Sequence, residues 1–300
     1  MNDITALIVT YNRLEKLKKT LYSYESQTMR PTRIILVDNC STDGTIDFIS
    51  EWEKKQSTIK KTVVRLEQNY GGSGGFYVGF KKALEIGFDW LWIADDDAYP
   101  DSDAFEMLSQ SMMRYPNCAA FCSKVNTIDG IDYGHRKIIR NNRNILGVPA
   151  EDVLYERKSF EINIFSFVGT CLRKDVIEKC GLPQKDYFIW YDDTEYSLRV
   201  NKYFKIICIP SVNVFHDTRI EKEWKYSWKT YYGERNRLYT LKLHDSRNNF
   251  VLYVMKYIYH MIINYFVDYK YFRSQWSGFW DYLKRVKGVP KDHQPGKYKY

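Results

Sequence analysis

Apolar residues come in short, dense blocks through the first hundred positions. ITALIVT (4–10), RIILVD (33–38), TVVRLE (62–67) and DWLWIA (89–94) lack the in–out alternation of a strand with one wet face. Such runs predict strands buried on both sides, as in parallel sheets. Between them the spacing changes. Leu14, Leu17, Leu21 and Tyr24 recur at helical intervals, Thr45–Lys55 is amphipathic, and a further helix is predicted over Val78–Ile86. Strand–helix alternation of this kind predicts an α/β fold, an open and mainly parallel sheet with helices on both faces.

The pattern is less regular further on. A helix is predicted over Asp103–Arg114 and a strand over AAFCSKV (119–125), and residues 127–160 show no period, as in a loop or small hairpin region. SFVGTCLRKDVIEKCG, DYFIWYDDTEYSLRV and KIICIPSVNVFHD follow. From Trp224 the chain turns aromatic, basic and helical. Within residues 250–269 Lys256, His260, Asn264 and Asp268 recur every four positions, a polar stripe on an otherwise apolar helix. That stretch is almost long enough to cross a bilayer, but the stripe and the flanking charges favour packing within the protein or an oligomer, or contact with a membrane surface. The expected division is a catalytic domain over residues 1–222 and a C-terminal helical region over 223–300.

Composition narrows the partners. The chain holds 26 Tyr, 16 Phe and 8 Trp, and amphipathic rings of this kind suit both sugar sites and membrane interfaces. A net charge of +8 favours an anionic partner. The basic residues are dispersed and no stacking motif accompanies them, which sets nucleic acid aside. Cys118 and Cys122 have no second pair or histidine at zinc-ligand spacing, so the six cysteines are expected to be reduced thiols. The N-terminal segment has neither the cationic leader nor the cleavage site of a signal peptide, so the chain is expected in the cytoplasm, and the aromatic, basic C-terminal region allows a place at the inner face of the cell membrane.

Open parallel sheets bind ligands beyond the carboxyl ends of their strands. Four polar clusters fall at that edge: Thr10-Tyr11-Asn12-Arg13, Asp38-Asn39, the glycine loop Asn69-Tyr70-Gly71-Gly72-Ser73-Gly74-Gly75, and Asp95-Asp96-Asp97. Three adjacent carboxylates repel one another unless a cation or a solvated turn relieves them. Oxygen-rich sites of this type suit Mg²⁺ or Mn²⁺ completed by water and phosphate. The glycine loop lacks the lysine and Ser/Thr of a phosphate-binding P-loop and is not a GxGxxG fingerprint, yet it allows close approach of a ligand to the backbone. Asp192 and Asp193 form a second acidic group, suited to a general base, with Trp190 and Tyr191 beside them as sugar-facing rings. His216 ends an apolar run and is either structural or a metal ligand.

These segments, in this order, resemble the inverting glycosyltransferases of family 2, which have the GT-A fold. Within the family, NYGGSGGF, WIADDD and WYDDTEY are most similar to the galactofuranosyltransferases that build bacterial galactan chains, and rhamnosyltransferase-like members share much of the pattern. The resemblance implies a nucleoside diphosphate sugar donor, favoured as UDP-galactofuranose, and a Mn²⁺ or Mg²⁺ ion at its phosphates. It implies metal ligation by Asp95, Asp97 and His216. Donor contacts would come from Thr10, Asn12, Arg13, Asp38, Asn69, Gly71, Gly72, Gly74, Gly75 and Asp96. Asp193 would be the base, with Asp192 standing where the family has glutamate. Trp190, Tyr191, Arg235 and Asn236 would lie on the side of a glycan acceptor, expected to be lipid-linked. A sugar nucleotidyltransferase is disfavoured because TYNRLEKLKK replaces a glycine- and basic-rich loop after the first strand. A non-catalytic binding module is disfavoured by the intact acids and His216.

Overall fold

A computed structural model describes residues 3–141, 143–220 and 227–295. The four apolar blocks are strands: β1 (Ile4–Thr10), β2 (Arg33–Asp38), β3 (Lys60–Arg65) and β4 (Trp90–Asp95) pair in parallel in the order β4-β1-β2-β3. After β4 come the short β5 (Ala98–Pro100) and β6 (Ala120–Thr127). The sheet extends past β4 through Thr170–Arg173, antiparallel to both β4 and β6, then β6 itself, the long strand Ile206–His216 parallel to it, and Phe160–Ile162 at the edge.

Helices α1 (Leu14–Glu25), α2 (Thr45–Lys54), α3 (Gly71–Ile86), α4 (Ala104–Arg114), α5 (Lys174–Cys180) and α6 (Asp192–Asn201) cover both faces. The period of two along β1 divides the core: Ile4, Ala6 and Ile8 meet Leu17, Leu21 and Phe105 of α1 and α4. Leu7 and Val9 meet Phe76, Phe80 and Tyr196 of α3 and α6. Both layers are therefore largely apolar packing, with Thr5 the one polar side chain buried within the strand before Thr10 at its end. The large polar groups buried here are satisfied; Trp92 Nε1 donates to Tyr24 Oη at 2.8 Å.

Two elements differ from expectation. β3 begins two residues early because Lys61 is anchored through its ammonium to the carbonyls of Trp52 and Lys55, which a hydropathy pattern does not reveal. The glycine stretch is not a loop but the first turns of α3. A Cβ on Gly75 would lie 2.4 Å from Val9 Cγ1, and one on Gly79 2.3 Å from Leu7 Cδ1. The helix rides directly on β1, and glycine, which carries no hydropathic period, is what lets it do so. The aperiodic 127–160 region holds short strands; Arg136–Ile138, Val148–Pro149 and Ile164–Phe165 form a small separate sheet.

At the C-terminus α7 (Lys229–His244), α8 (Arg247–Val267) and α9 (Tyr269–Leu283) form a helical layer. The expected boundary at 222/223 lies outside the described residues. α7 is joined to the α/β region: Tyr231 and Tyr232 pack on Phe188, and His244 Nε2 lies 2.9 Å from Glu195 Oε1 on α6. The polar stripe of α8 is split. A four-residue repeat advances about 40° per step on a 3.6-residue helix, so Asn264 turns to α9 and donates to Gln275 Oε1 at 2.9 Å, while Lys256 and His260 stay exposed. Among the described residues α8 is the one helix long and apolar enough to cross a membrane, with mean hydropathy 1.3. The six cysteines are free thiols.

Candidate active site

Strand register delivers the acids to one place. Val9 pairs with Asp95 and Thr10 with Asp38, so β1, β2 and β4 end level. The chain turns at Asp96-Asp97 and returns as β5, whose Ala98 pairs with His216. This long-range pairing brings His216 Nε2 to 3.3 Å from Asp97 Oδ1. Thr218 Oγ1 lies 3.2 Å from the other ring nitrogen and fixes the imidazole's orientation.

Asp95, Asp97 and His216 each present one ligand atom, and these lie within 4.8 Å of one another. Asp97 Oδ1 is buried without a hydrogen bond, its approach to the imidazole being close but not bonding in geometry. A buried carboxylate oxygen left with an unused lone pair is what a cation would take up. Two carboxylates and an imidazole suit Mn²⁺ or Mg²⁺, and the imidazole leans toward Mn²⁺. The residues fit the ion.

The three aspartates are electrostatically unlike. Burial pushes Asp95 up, and the neighbouring Asp97 adds to it, to about 7. Burial raises Asp96 to about 6 in spite of Arg13. Burial also acts against Asp97, but His216, Arg13 and Lys16 outweigh it and hold this carboxyl at about 2. Its Oδ2 receives Arg13 Nη1 at 2.6 Å and Lys16 Nζ at 3.3 Å. Asp96 turns to the loop after β1, accepting from Thr10 Oγ1 at 2.7 Å, from Tyr11 N at 3.3 Å and from Arg13 Nη1 at 3.2 Å. Thus Asp95 and Asp97 face a cation position, while Asp96 locks the loop that carries Thr10 and Arg13.

These groups line a cavity of about 510 Å³, shared with Asn69, Gly71, Gly72, Trp190, Asp192 and Asp193. Asn39 and Asn69 hold its glycine side: Asn39 Nδ2 donates to Asn69 Oδ1 and to Gly71 O, and Asn69 Oδ1 accepts from Gly71 N at 2.8 Å. Gly71 has φ +72°, and a Cβ there would meet the carbonyl oxygen of Phe188 at 2.0 Å. Asp192 and Asp193 open α6. Burial, then the charge of Asp193, raises Asp192 well above the ordinary carboxylate range. Burial also raises Asp193, against the Thr194 amide that donates to its Oδ1 at 2.5 Å. Both acids are thereby made more basic than a solvated aspartate.

Several expected site residues do not line the cavity. Asp38 is buried and accepts from Ser41 N at 3.2 Å, shaping the turn after β2 instead of facing the cavity. Asn12 closes the same turn by accepting from Thr42 N at 2.6 Å. Gly74 and Gly75 face Tyr70 and Val9. Tyr191 is the left-handed N-cap of α6 and does not line the cavity. Arg235 and Asn236, expected on the acceptor side, are instead fully buried in α7. They brace the loop before α6, where Phe188, Trp190 and Tyr191 all have positive φ. Such conformations cost about 1–3 kcal/mol each and persist where the surroundings over-determine them. Asn236 Nδ2 donates to the carbonyls of Tyr187, Ile189 and Trp190 at 2.9–3.0 Å, and Arg235 reaches Gly288 O at 2.9 Å and Tyr187 O at 3.2 Å. Asn236→Ala is expected to cost about 1–3 kcal/mol for the orphaned carbonyls, read as a lowered melting temperature, and to slow turnover by releasing Trp190.

Asn39, from the Asp38-Asn39 cluster, borders the site as well; His135, Ser166 and Lys16 also border or hold it and were missed as site residues. His135 Nδ1 lies 2.5 Å from Ser166 Oγ, and its ring sits 5.2 Å from that of His216. It falls in the aperiodic region, where no spacing marks it. The adjoining Arg136 is fully buried and donates to Ser123 O and Val168 O, so this part of the region is a fixed wall of the cavity. Lys16 had a usable signal, a cation one helical turn after Arg13 at the start of α1.

The fold matches solved glycosyltransferase structures. A crystal structure of GalNAc-T7 with UDP, GalNAc and Mn²⁺ aligns at TM-score 0.64 and 18% identity, covering 80% of this chain and 48% of that one. S. aureus TarS 1–349 in complex with UDP-GlcNAc aligns at TM-score 0.57 and 15% identity, covering 82% and 68%. The fold is therefore GT-A, with a C-terminal helical extension. The Glycosyl transferase family 2 model matches residues 5–181, more than half of the chain, and the protein belongs to that family. It is 26% identical over 208 residues to galactofuranosyltransferase GlfT1 of Mycolicibacterium smegmatis, covering 66% of this chain and 65% of that protein. It is 22% identical over 244 residues to the N-acetylglucosaminyl-diphospho-decaprenol L-rhamnosyltransferase of Mycobacterium tuberculosis, covering 72% and 76%.

Proposed function

We propose that this protein transfers galactofuranose from UDP-galactofuranose to a hydroxyl of a growing, lipid-linked bacterial cell-surface polysaccharide, with inversion at the anomeric carbon. The observation that carries the reading is the opposition, within one cavity, of the Asp95/Asp97/His216 group and the basic pair Asp192/Asp193. A divalent cation held by Asp95, Asp97 and His216 would supply Lewis-acid stabilisation of charge on the donor's diphosphate. Arg13 and Lys16 bring two further positive charges to the same end of the site, for the leaving diphosphate. Gly71 and Gly72 let that end of α3 approach a phosphate or ribose without side chains in between. Asp193 takes the proton of the acceptor hydroxyl as its oxygen bonds to the anomeric carbon and the sugar–phosphate bond breaks, the electron pair leaving with UDP. Burial raises the basicity of Asp193, and its charge in turn raises Asp192 beside it. The exposed face of Trp190 suits a sugar ring.

Galactofuranose is favoured by the GlfT1 relatives, one of which, from M. tuberculosis, is 38% identical over 97 residues. The second reading is rhamnosyl transfer, supported by the decaprenol-linked rhamnosyltransferase and by the dTDP-rhamnosyl transferase RfbF of Shigella flexneri, 25% identical over 217 residues. A donor screen with Mn²⁺ separates them. UDP-galactofuranose is expected to give the fastest nucleotide release, ahead of UDP-galactose, UDP-glucose and dTDP-rhamnose. Preference for dTDP-rhamnose replaces the sugar but keeps the chemistry, and release from none of them removes the enzymatic reading.

A further inference from the structure

α8 packs one side on α9 and leaves the other bare. Leu252, Met255, Tyr259, Ile262 and Phe266 follow at intervals of three and four residues, and each is more than half exposed, Phe266 at 80%. The surface continues onto α9 through ring contacts, Tyr265 to Phe272 at 5.1 Å, Phe272 to Trp276 at 5.9 Å and Trp276 to Trp280 at 5.5 Å. Isolated exposed apolar residues are ordinary; a contiguous ridge across two helices marks a contact surface.

Charge identifies the occupant. Arg247, Lys256, Lys270, Lys284 and Arg285 are exposed along these two helices and their ends. The two acids in residues 247–285 are engaged inside the fold: Asp268 accepts from Tyr271 N at 3.0 Å, and Asp281 from Tyr231 Oη at 2.5 Å. A second copy on this face would bring like charges together. An anionic bilayer surface instead takes the apolar ridge into its acyl boundary and pairs the cations with headgroups, with Trp and Tyr rings at headgroup depth. Crossing the bilayer would carry Lys256 and His260 into hydrocarbon and strip α8 from α9, to which Tyr257 Oη is bonded through Gln275 O at 3.0 Å.

We propose that the α8–α9 face docks the protein on an anionic lipid bilayer, both helices lying in the headgroup plane. α7 packs between α9 and the loop that carries Trp190, so the acceptor side of the cavity stands one helix away from that surface. This docking goes beyond the transfer chemistry and is separable from it.

The test is sedimentation of the full chain with phosphatidylcholine vesicles and with vesicles containing phosphatidylglycerol. Binding to the anionic vesicles is expected to exceed binding to neutral ones at least about tenfold and to weaken about tenfold or more in Ile262→Glu/Phe266→Glu and in Lys256→Glu/Lys270→Glu. High salt and alkaline carbonate should release the protein, and Asp193→Asn should bind as the wild type does, whatever its turnover. Should a double variant melt early, Phe266→Ser at the most exposed position gives the same comparison. Equal binding to neutral vesicles, retention through alkaline carbonate, or no vesicle binding would each overturn the proposal. So would a dimer in sedimentation velocity that Phe266→Glu dissolves while vesicle binding persists.

Discussion

Asp193→Asn is expected to lower transfer by about 10²–10⁴-fold, the usual contribution of a positioned proton acceptor, while UDP binding is unchanged. The amide is nearly isosteric and still accepts the Thr194 N–H that Asp193 Oδ1 accepts at 2.5 Å, so the first turn of α6 should keep its shape. What it loses is the ability to take a proton. Burial raises this carboxyl and the adjoining Asp192, which increases proton affinity where an acceptor hydroxyl would lie. Steady-state turnover set beside calorimetric UDP affinity reads the two roles separately. Equal loss of both would remove Asp193 from the base position.

Asp97→Ala is expected to act on the other half of the site. It deletes the carboxylate shared by the cation position, Arg13 and Lys16, and should reduce turnover about a thousandfold, equivalent to roughly 4 kcal/mol of transition-state charge stabilisation. Mn²⁺ binding measured by electron paramagnetic resonance should fall with it, and excess Mn²⁺ should not restore the rate. In the wild-type protein a chelator should stop transfer and added Mn²⁺ should recover it. The pH dependence has a defined sign. Asp95, held at about 7, must lose its proton to ligate, so Mn²⁺ affinity should weaken as pH falls through that value. Unchanged Mn²⁺ binding in Asp97→Ala would place the cation elsewhere.

The sheet was legible because its central strands are buried on both faces, which leaves an unbroken apolar run in β1, β2 and β4. The acids at their ends were legible for the same reason: a charge after such a run has to emerge at the sheet edge. The glycine helix was read as a loop because its glycines make room for the side chains of Val9 and Leu7 on β1, and close approach leaves no hydropathic signature. Arg235 and Asn236 were found in the right neighbourhood but given the wrong task. Proximity to the site followed from resemblance, whereas their burial depends on the positive-φ loop before α6, a tertiary feature that no local pattern encodes. His135 shows the opposite limit. It lines the cavity from a region with no period at all, placed there by the buried Arg136 beside it.

The central claim is a single displacement in which Asp193 deprotonates the acceptor and no protein atom bonds to the sugar. The anomeric configuration of the product, measured by proton nuclear magnetic resonance on material formed from the preferred donor, tests it most directly. The arrangement of Asp193 opposite Asp95, Asp97 and His216 predicts inversion relative to the donor. Retention would contradict it, because a single in-line displacement by the acceptor oxygen can only invert the anomeric carbon.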